Sequence, residues 1–236
     1  MEKTIYIIVG ASGEIGNRIA TNLLEKTPNV FLTYSNSDIS NSESLNWHKV
    51  DVTSIESISN FAQLIEEQLP GSVKLVYCAG YLDDHPISLI SYDSWSKIID
   101  INLTGAFLFL KCFFNLLSLS KNGRIILLGS VASKKAAIGQ AAYSASKAGL
   151  EGLCRVAALE LGRFGTTCNV VAPGAVESSM FRQTPPEVVK NITKSTPLRK
   201  LGTVEDVSKI VEFILSDSSG HITGQTFYID GGVSIL

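Results

Sequence analysis

The stretch "TIYIIVGASGEIGNRIATNLLEK", residues 4–26, changes its periodicity partway along. Residues 4–10 form a near-continuous apolar run rich in isoleucine, the pattern of a strand covered on both faces. Residues 15–26 repeat apolar side chains every three or four positions, which predicts an amphipathic helix. Between them lies "GASGEIG", 10–16, with glycines at 10, 13 and 16. A glycine-rich turn between a strand and a helix can receive a pyrophosphate at the helix N-terminus. Gly10 would allow the tight turn, Gly13 a close backbone approach, and Gly16 the packing of helix on strand. An ordinary βα turn is the plainer alternative, and the rest of the chain decides between them.

The same alternation continues outward. Apolar runs recur at 30–35, 47–52, 74–80, 124–130, 168–174 and 226–232, most of them rich in Val and Ile. Amphipathic segments fill the gaps at 54–68, 92–119, 143–163 and 204–216. Strand–helix alternation of this kind implies an α/β fold, a parallel sheet built from right-handed crossovers with helices on both faces. Nothing suggests a repeat or an interdomain linker, so a single domain over 1–236 is expected. The segment "AVESSMFRQTPPEVVKNITKSTPLRK", 175–200, fits no regular element. Its prolines suggest a flap with short helices, and long loops of this kind usually carry function.

Bulk properties narrow the classes. The chain has 236 residues, 45% hydrophobic and 18% charged, with a formal net charge of −2. Basic residues form no run, so no nucleic-acid partner is expected. The longest apolar candidate, "GAFLFLKCFFNLL" at 105–117, falls short of the about 20 residues that span a bilayer and is interrupted by Lys111. It reads as a buried helix, and no membrane association is expected. The N-terminal residues lack the features of a secretory leader. The four cysteines, Cys78, Cys112, Cys154 and Cys168, have no C-x-x-C spacing and sit in apolar settings. That pattern suits small hydrophobes in a reducing compartment, with a cytoplasmic location. Three scattered histidines, His48, His85 and His221, give no metal centre.

"YSASK", 143–147, sets a phenol and an amine one helical turn apart with only small residues between. A phenol has an ordinary pKa of about 10, and a neighbouring ammonium would lower it. Ser130 follows the strand-like "IILLG", thirteen residues before Tyr143. Asn102 lies within the helical "IDINLTGAF" between Ile101 and Leu103, which suggests a buried, hydrogen-bonded side chain. The second apolar run ends in "TYSNS", 33–37, with no acid to take a ribose 2′-hydroxyl. Ser35 and Asn36 could hydrogen-bond a 2′-phosphate instead. Asp51 suits either an adenine amino group or a helix-capping turn.

Taken together, "GASGEIG", Asp51, "CAG" (78–80), Asn102, Ser130, "YSASK" and "PGAVESSM" (173–180) resemble the short-chain dehydrogenase/reductase family over nearly the whole chain. The closer likeness is to the 3-oxoacyl-[acyl-carrier-protein] reductases, carried by "GRIILLGSVAS", "AAYSASKAGLEG", "PLRKLGTVEDV" and "ITGQTFYIDGG". The resemblance implies a Rossmann-type, doubly wound sheet of seven parallel strands in the order 3-2-1-4-5-6-7. It implies a homotetramer, or failing that a dimer, assembled through helices 92–119 and 143–163 and through the C-terminal strand. Phe107, Phe109, Phe113, Phe114, Leu116, Leu117, Leu150, Leu153 and Leu159 would supply the apolar excess on those helices.

The roles carried over are specific. Tyr143 would protonate a ketone oxygen, Ser130 would hydrogen-bond that oxygen, and Lys147 would hold the nicotinamide ribose and lower the phenol's pKa. Asn102 would hold a water leading from Lys147 to solvent. Gly10, Ser12, Gly13, Ile15, Gly16, Ser35, Asn36, Asp51, Val52, Ala79, Gly80, Pro173, Gly174, Val176 and Ser178 would line the cofactor. The implied reaction is reduction of a 3-oxoacyl thioester on acyl carrier protein, with NADP(H) favoured over NAD(H). The chain departs from the family at two places. Glu14 stands where Gly is usual, beside a Gly13 where NADP-preferring relatives often carry Arg. "YCAG" at 77–80 replaces "NNAG", removing the asparagine that braces the adjoining strand. A dehydrogenase of another small secondary alcohol, sugar or steroid is one alternative. A non-catalytic nucleotide-binding subunit is another, against which the intact Asn102, Ser130, Tyr143 and Lys147 argue.

Overall fold

The computed structural model describes residues 3–35, 46–178, 181 and 184–235. Seven strands, β1 (Thr4–Val9), β2 (Val30–Tyr34), β3 (Asn46–Lys49), β4 (Ser72–Tyr77), β5 (Arg124–Leu128), β6 (Thr167–Pro173) and β7 (Thr226–Ile229), form one sheet in the order β3-β2-β1-β4-β5-β6-β7. Every neighbouring pair is parallel. The helices are α1 (Glu14–Leu24), α2 (Ile55–Glu66), α3 (Tyr92–Ile99), α4 (Gly105–Ser118), α5 (Ala141–Gly162), α6 (Pro186–Ser195) and α7 (Val204–Leu215).

Both faces of the sheet are covered, and the side-chain period of two explains the near-continuous apolar runs. In β1, Ile5, Ile7 and Val9 join the core under α2, α4 and α5, while Ile8 joins the core under α1 and α7. The chain order reverses between β1 and β4, which leaves a crevice at the carboxyl ends of the strands. The strands also stop short of the apolar runs. β4 ends at Tyr77 and β5 at Leu128, so Cys78–Gly80 and Ser130 lie just past the carboxyl ends of their strands.

The expected helix 92–119 is three pieces: α3, a π-turn at Asp100–Thr104, and α4. The helical run Tyr92–Ser118 is long and apolar enough by composition to cross a membrane. Its inner side, including Ile98, Phe109, Phe113 and Leu117, is packed into the core. The expected apolar excess is therefore smaller than the sequence suggests. Phe109, Phe113, Leu117 and Leu150 belong to the core, Phe114, Leu116 and Leu153 pack partly against it, and only Phe107 and Leu159 of that set are exposed. In the flap, Val176 bridges to Gly202. The helix α6 opens with Pro186 and buries none of its residues. Proline suits the first turn because its φ is already helical and its missing N–H would have no partner there.

Candidate active site

The glycine turn is built by two different constraints. Gly10 has φ +77°, and a Cβ there would lie 2.7 Å from the Ala79 nitrogen. A Cβ on Gly16 would lie 2.7 Å from the Gly10 carbonyl oxygen, so α1 can cross the turn only with glycine at that point. Gly13 differs. It is extended (φ −76°, ψ 152°), and an added Cβ would meet only the Gly10 oxygen, at 3.5 Å. The protein itself does not demand glycine there. The open space lies over the N-terminus of α1, whose first turn has no side-chain cap. Such a cradle fits a phosphate group. Ser12 is exposed at its rim and Ile15 packs against the α1-side core.

Thr33, which sequence reasoning passed over, ties the turn to β2. Its buried hydroxyl accepts the Gly10 N–H at 3.1 Å, and its carbonyl accepts the Ala11 N–H at 2.9 Å. The available signal was a hydroxyl inside the otherwise apolar "VFLT".

The other cofactor candidates ring the same crevice. Ser35 is exposed just past β2, and Asn36 lies outside the described residues. Asp51 accepts both the N–H (2.9 Å) and the hydroxyl (2.7 Å) of Thr53, the turn arrangement ahead of α2. Val52 is buried, Ala79 is half-buried and Gly80 is exposed. Pro173 closes β6. The Gly174 N–H donates to the Ile229 carbonyl at 3.0 Å, and a Cβ on Gly174 would press on Asp230. Val176 is buried and Ser178 half-buried.

The polar centre sits where β4 and β5 end. Tyr143 and Lys147 stand one turn apart on α5, with the Lys147 ammonium 5.6 Å from the Tyr143 ring centroid. Lys147 is 3% exposed and donates to the Leu128 carbonyl at 2.7 Å. Burial pulls its pKa down to about 8, partly opposed by the Cys78 thiol. Burial pushes the Cys78 thiol up to about 12. Ser130 is extended, and its side chain accepts the Ala132 N–H at 3.1 Å. Its hydroxyl also acts on the Tyr143 phenol, holding the phenol's pKa down.

The phenol departs from the expected direction. Burial raises the Tyr143 pKa, the Ser130 hydroxyl opposes this, and the charge on Asp84 adds to the rise. The ammonium was expected to lower it. Desolvation is instead the largest cause, because an ion formed in a water-poor site loses its hydration, and Lys147 is not among the groups that move the phenol. The arrangement therefore keeps the proton on Tyr143, as a proton donor requires.

Asn102 is fully buried on the π-turn. Its Oδ1 accepts the Tyr81 N–H at 2.7 Å. Its Nδ2 donates to the Tyr81 carbonyl at 3.0 Å and to the Ser146 hydroxyl at 3.1 Å. A Cβ on Gly80 would lie 3.7 Å from Asn102 Oδ1 and 3.8 Å from Lys147 Nζ, so both side chains border the same spot. Tyr81 and Ser146 were not singled out from the sequence; Ser146 was masked by its place among small spacer residues. The brace lost with "NNAG" is replaced differently: Tyr77 is buried and donates from its hydroxyl to the Ile101 carbonyl.

Known proteins resemble this chain in sequence and in fold. Residues 10–234 match the family described as Enoyl-(Acyl carrier protein) reductase. The chain is 33% identical over 244 aligned residues to 3-oxoacyl-[acyl-carrier-protein] reductase FabG of Salmonella typhimurium, covering 100% of this chain and 99% of that protein. It is 42% identical over 165 residues to human (3R)-3-hydroxyacyl-CoA dehydrogenase, covering 70% of this chain and 63% of the human protein, which is less than two thirds of its length. Among solved structures it is similar to Thermoplasma acidophilum aldohexose dehydrogenase, with a TM-score of 0.90 and 25% identity, covering 100% of this chain and 95% of the other. With the family match, the full-length relative and the seven-stranded parallel sheet in agreement, the chain belongs to the short-chain dehydrogenase/reductase family.

Proposed function

We propose that this chain reduces a ketone with NADPH, its substrate a 3-oxoacyl thioester on acyl carrier protein and its product the 3-hydroxyacyl thioester. The observation that carries this reading is the Tyr143 phenol, kept protonated by burial beside the Ser130 hydroxyl, with the Lys147 amine one turn away. When bound, the nicotinamide supplies the hydride. Tyr143 gives its proton to the carbonyl oxygen as negative charge develops there. Ser130 donates a hydrogen bond to the same oxygen and stabilises that charge. Lys147 holds the nicotinamide ribose, and Asn102 carries the proton path from Lys147 toward solvent. Gly10, Gly13 and Gly16 cradle the pyrophosphate at α1, while Pro173, Gly174, Val176 and Ser178 border the nicotinamide. The names of the FabG and (3R)-3-hydroxyacyl-CoA dehydrogenase relatives support an acyl thioester substrate.

The cofactor is NADP(H) in preference to NAD(H), because Ser35 and Asn36 follow β2 where an acid would otherwise take the 2′-hydroxyl. Gly13 and Glu14 bring no cation, so the preference is modest. We read residues 1–236 as one cytoplasmic domain that forms a homotetramer, with a dimer as the smaller assembly. Exposed Phe107, Val156 and Leu159 and the half-exposed β7 support association between copies. Neither nucleic acid nor membrane is a partner. A second reading, oxidation of a small sugar or other secondary alcohol, draws on the aldohexose dehydrogenase neighbour.

A panel of carrier-bound, coenzyme A-bound and free β-ketoacyl substrates, with sugars as the opposing arm, separates these readings. Turnover highest on the carrier-bound substrate is expected. Turnover confined to sugars would overturn the acyl assignment, and none with any substrate would favour a non-catalytic subunit.

A further inference from the structure

The departure at Tyr77 has a physical purpose within this chain. In an α-helix the Gly105 N–H would bond the carbonyl four residues back, on Ile101. Here it reaches back five residues to Asp100. The Ile101 carbonyl instead takes the Tyr77 hydroxyl, at 2.5 Å. A π-turn of this kind is rare and concentrates at functional sites.

The two residues that make this possible are matched. Tyr77 is 1% exposed, its ring set edge-on to Phe109 at 5.7 Å. Burial raises its pKa, so the phenol stays protonated and can only donate to a carbonyl. A Cβ on Gly105 would overlap the Tyr77 hydroxyl and would also lie 2.9 Å from the Val52 carbonyl oxygen. Glycine at 105 thus leaves the space the phenol fills. The next residue after Ile101 is Asn102, whose amide is bonded to Tyr81 on one side and to Ser146 on the catalytic helix on the other.

We propose that Tyr77 is a positioning residue: its hydroxyl holds the π-turn at Asp100–Thr104 and thereby fixes Asn102 between the Tyr81 backbone and Ser146. Its kinetic consequence rests on the ketone-reducing activity proposed above; its structural consequence does not. Tyr77→Phe keeps the ring and removes only the hydroxyl. A misplacement of about 1 Å in a site can cost up to about 10²-fold, so a fall in kcat of about tenfold to a hundredfold is expected. KM for NADPH should barely move, because the glycine turn is untouched.

Two controls distinguish positioning from simple loss of stability. In an Asn102→Ala background, Tyr77→Phe should lower kcat no further, since its route to the chemistry has already been removed. Hydrogen exchange reads the same point directly: the Tyr81 amide, which donates to Asn102 Oδ1, should exchange faster in Tyr77→Phe while amides in the middle of β5 keep their protection. Wild-type kcat with unchanged Tyr81 exchange would overturn the proposal, and so would an equal loss of kcat in the Asn102→Ala background. If Tyr77→Phe does not fold, Gly105→Ala carries the same comparison, because it keeps the phenol but crowds it. A folded Gly105→Ala protein with wild-type kcat and exchange would count equally against the idea. Should wild type reduce no ketone offered, faster Tyr81 exchange in either variant supports the inference and unchanged exchange overturns it.

Discussion

Two lysines are buried at opposite ends of the same sheet, and on simple measures they look alike. Lys74, near the start of β4, is 6% exposed and donates to the Leu215 carbonyl at 2.7 Å. Lys147, at the carboxyl ends of the strands, donates to the Leu128 carbonyl at the same distance. Each ammonium lies 5.6 Å from a tyrosine ring centroid, Tyr6 for one and Tyr143 for the other. Burial lowers the pKa of both. Their surroundings differ. Lys74 faces the carboxyl end of α7, where cations are favoured, and its charge is supported by Asp217 at 3.5 Å. At Lys147 the neighbours are a thiol, Cys78, which burial keeps protonated, and the phenol of Tyr143 beside the Ser130 hydroxyl. Burial and a displaced pKa mark an amine under constraint. What it can do is decided by the titratable groups beside it.

Substitution should break the likeness. Lys147→Met should lower kcat by about 10²-fold or more, on the scale of a lost acid–base partner. Folding stability should change little. Removing the displaced amine relieves roughly 3 kcal/mol for a pKa taken from 10.5 to about 8. The orphaned Leu128 carbonyl offsets this by about 1–3 kcal/mol. Lys74→Met should leave kcat near wild type; the Leu215 carbonyl, left without its donor, costs about 1–3 kcal/mol, partly offset by relief of the ammonium's burial. Chemical denaturation and steady-state rates on the same samples check both.

The pH dependence of stability sharpens the contrast. The folded pKa of Lys147 is depressed, so between about 8 and 10.5 the unfolded chain holds a proton that the folded chain has released. Unfolding free energy therefore rises with pH through that window on account of this group. The difference curve, wild type minus Lys147→Met, should slope upward from pH 8 to 10.5; a flat difference would remove the argument for a displaced amine.

The smallest effect expected is at the ribose end. There the exposed Ser35 brings neither acid nor cation, in contrast to the densely bonded catalytic end. NADPH should exceed NADH in kcat/KM only modestly, and a clear NADH preference in a side-by-side assay would reverse the assignment.

The strands and helices were legible because burial on both sheet faces writes long apolar runs, as in β1 and β5. Tyr143, Lys147 and Ser130 were legible because their spacing is rare and their setting, just beyond a strand and on one helix face, is recognisable. The π-turn was not. An i→i−5 bond leaves no mark on apolar periodicity, so 92–119 reads as one helix. Tyr77 at first reads as a loss, since its benefit depends on Gly105, twenty-eight positions away in sequence. Thr33 and Ser146 act through hydroxyls that strand and helix patterns do not distinguish. The direction of the Tyr143 shift also could not be read, because it depends on how deeply α5 is buried.

Tyr143 as the proton donor is the central assignment. The direct measurement is NADPH consumption with a 3-oxoacyl thioester by wild type and Tyr143→Phe, paired with a fluorescence titration of NADPH binding to each. The expected result is a loss in kcat of about 10²–10⁴-fold with NADPH affinity retained. A Tyr143→Phe protein that binds NADPH normally and keeps more than about half the wild-type rate would contradict it, because general acid catalysis by this phenol would then supply almost none of the rate.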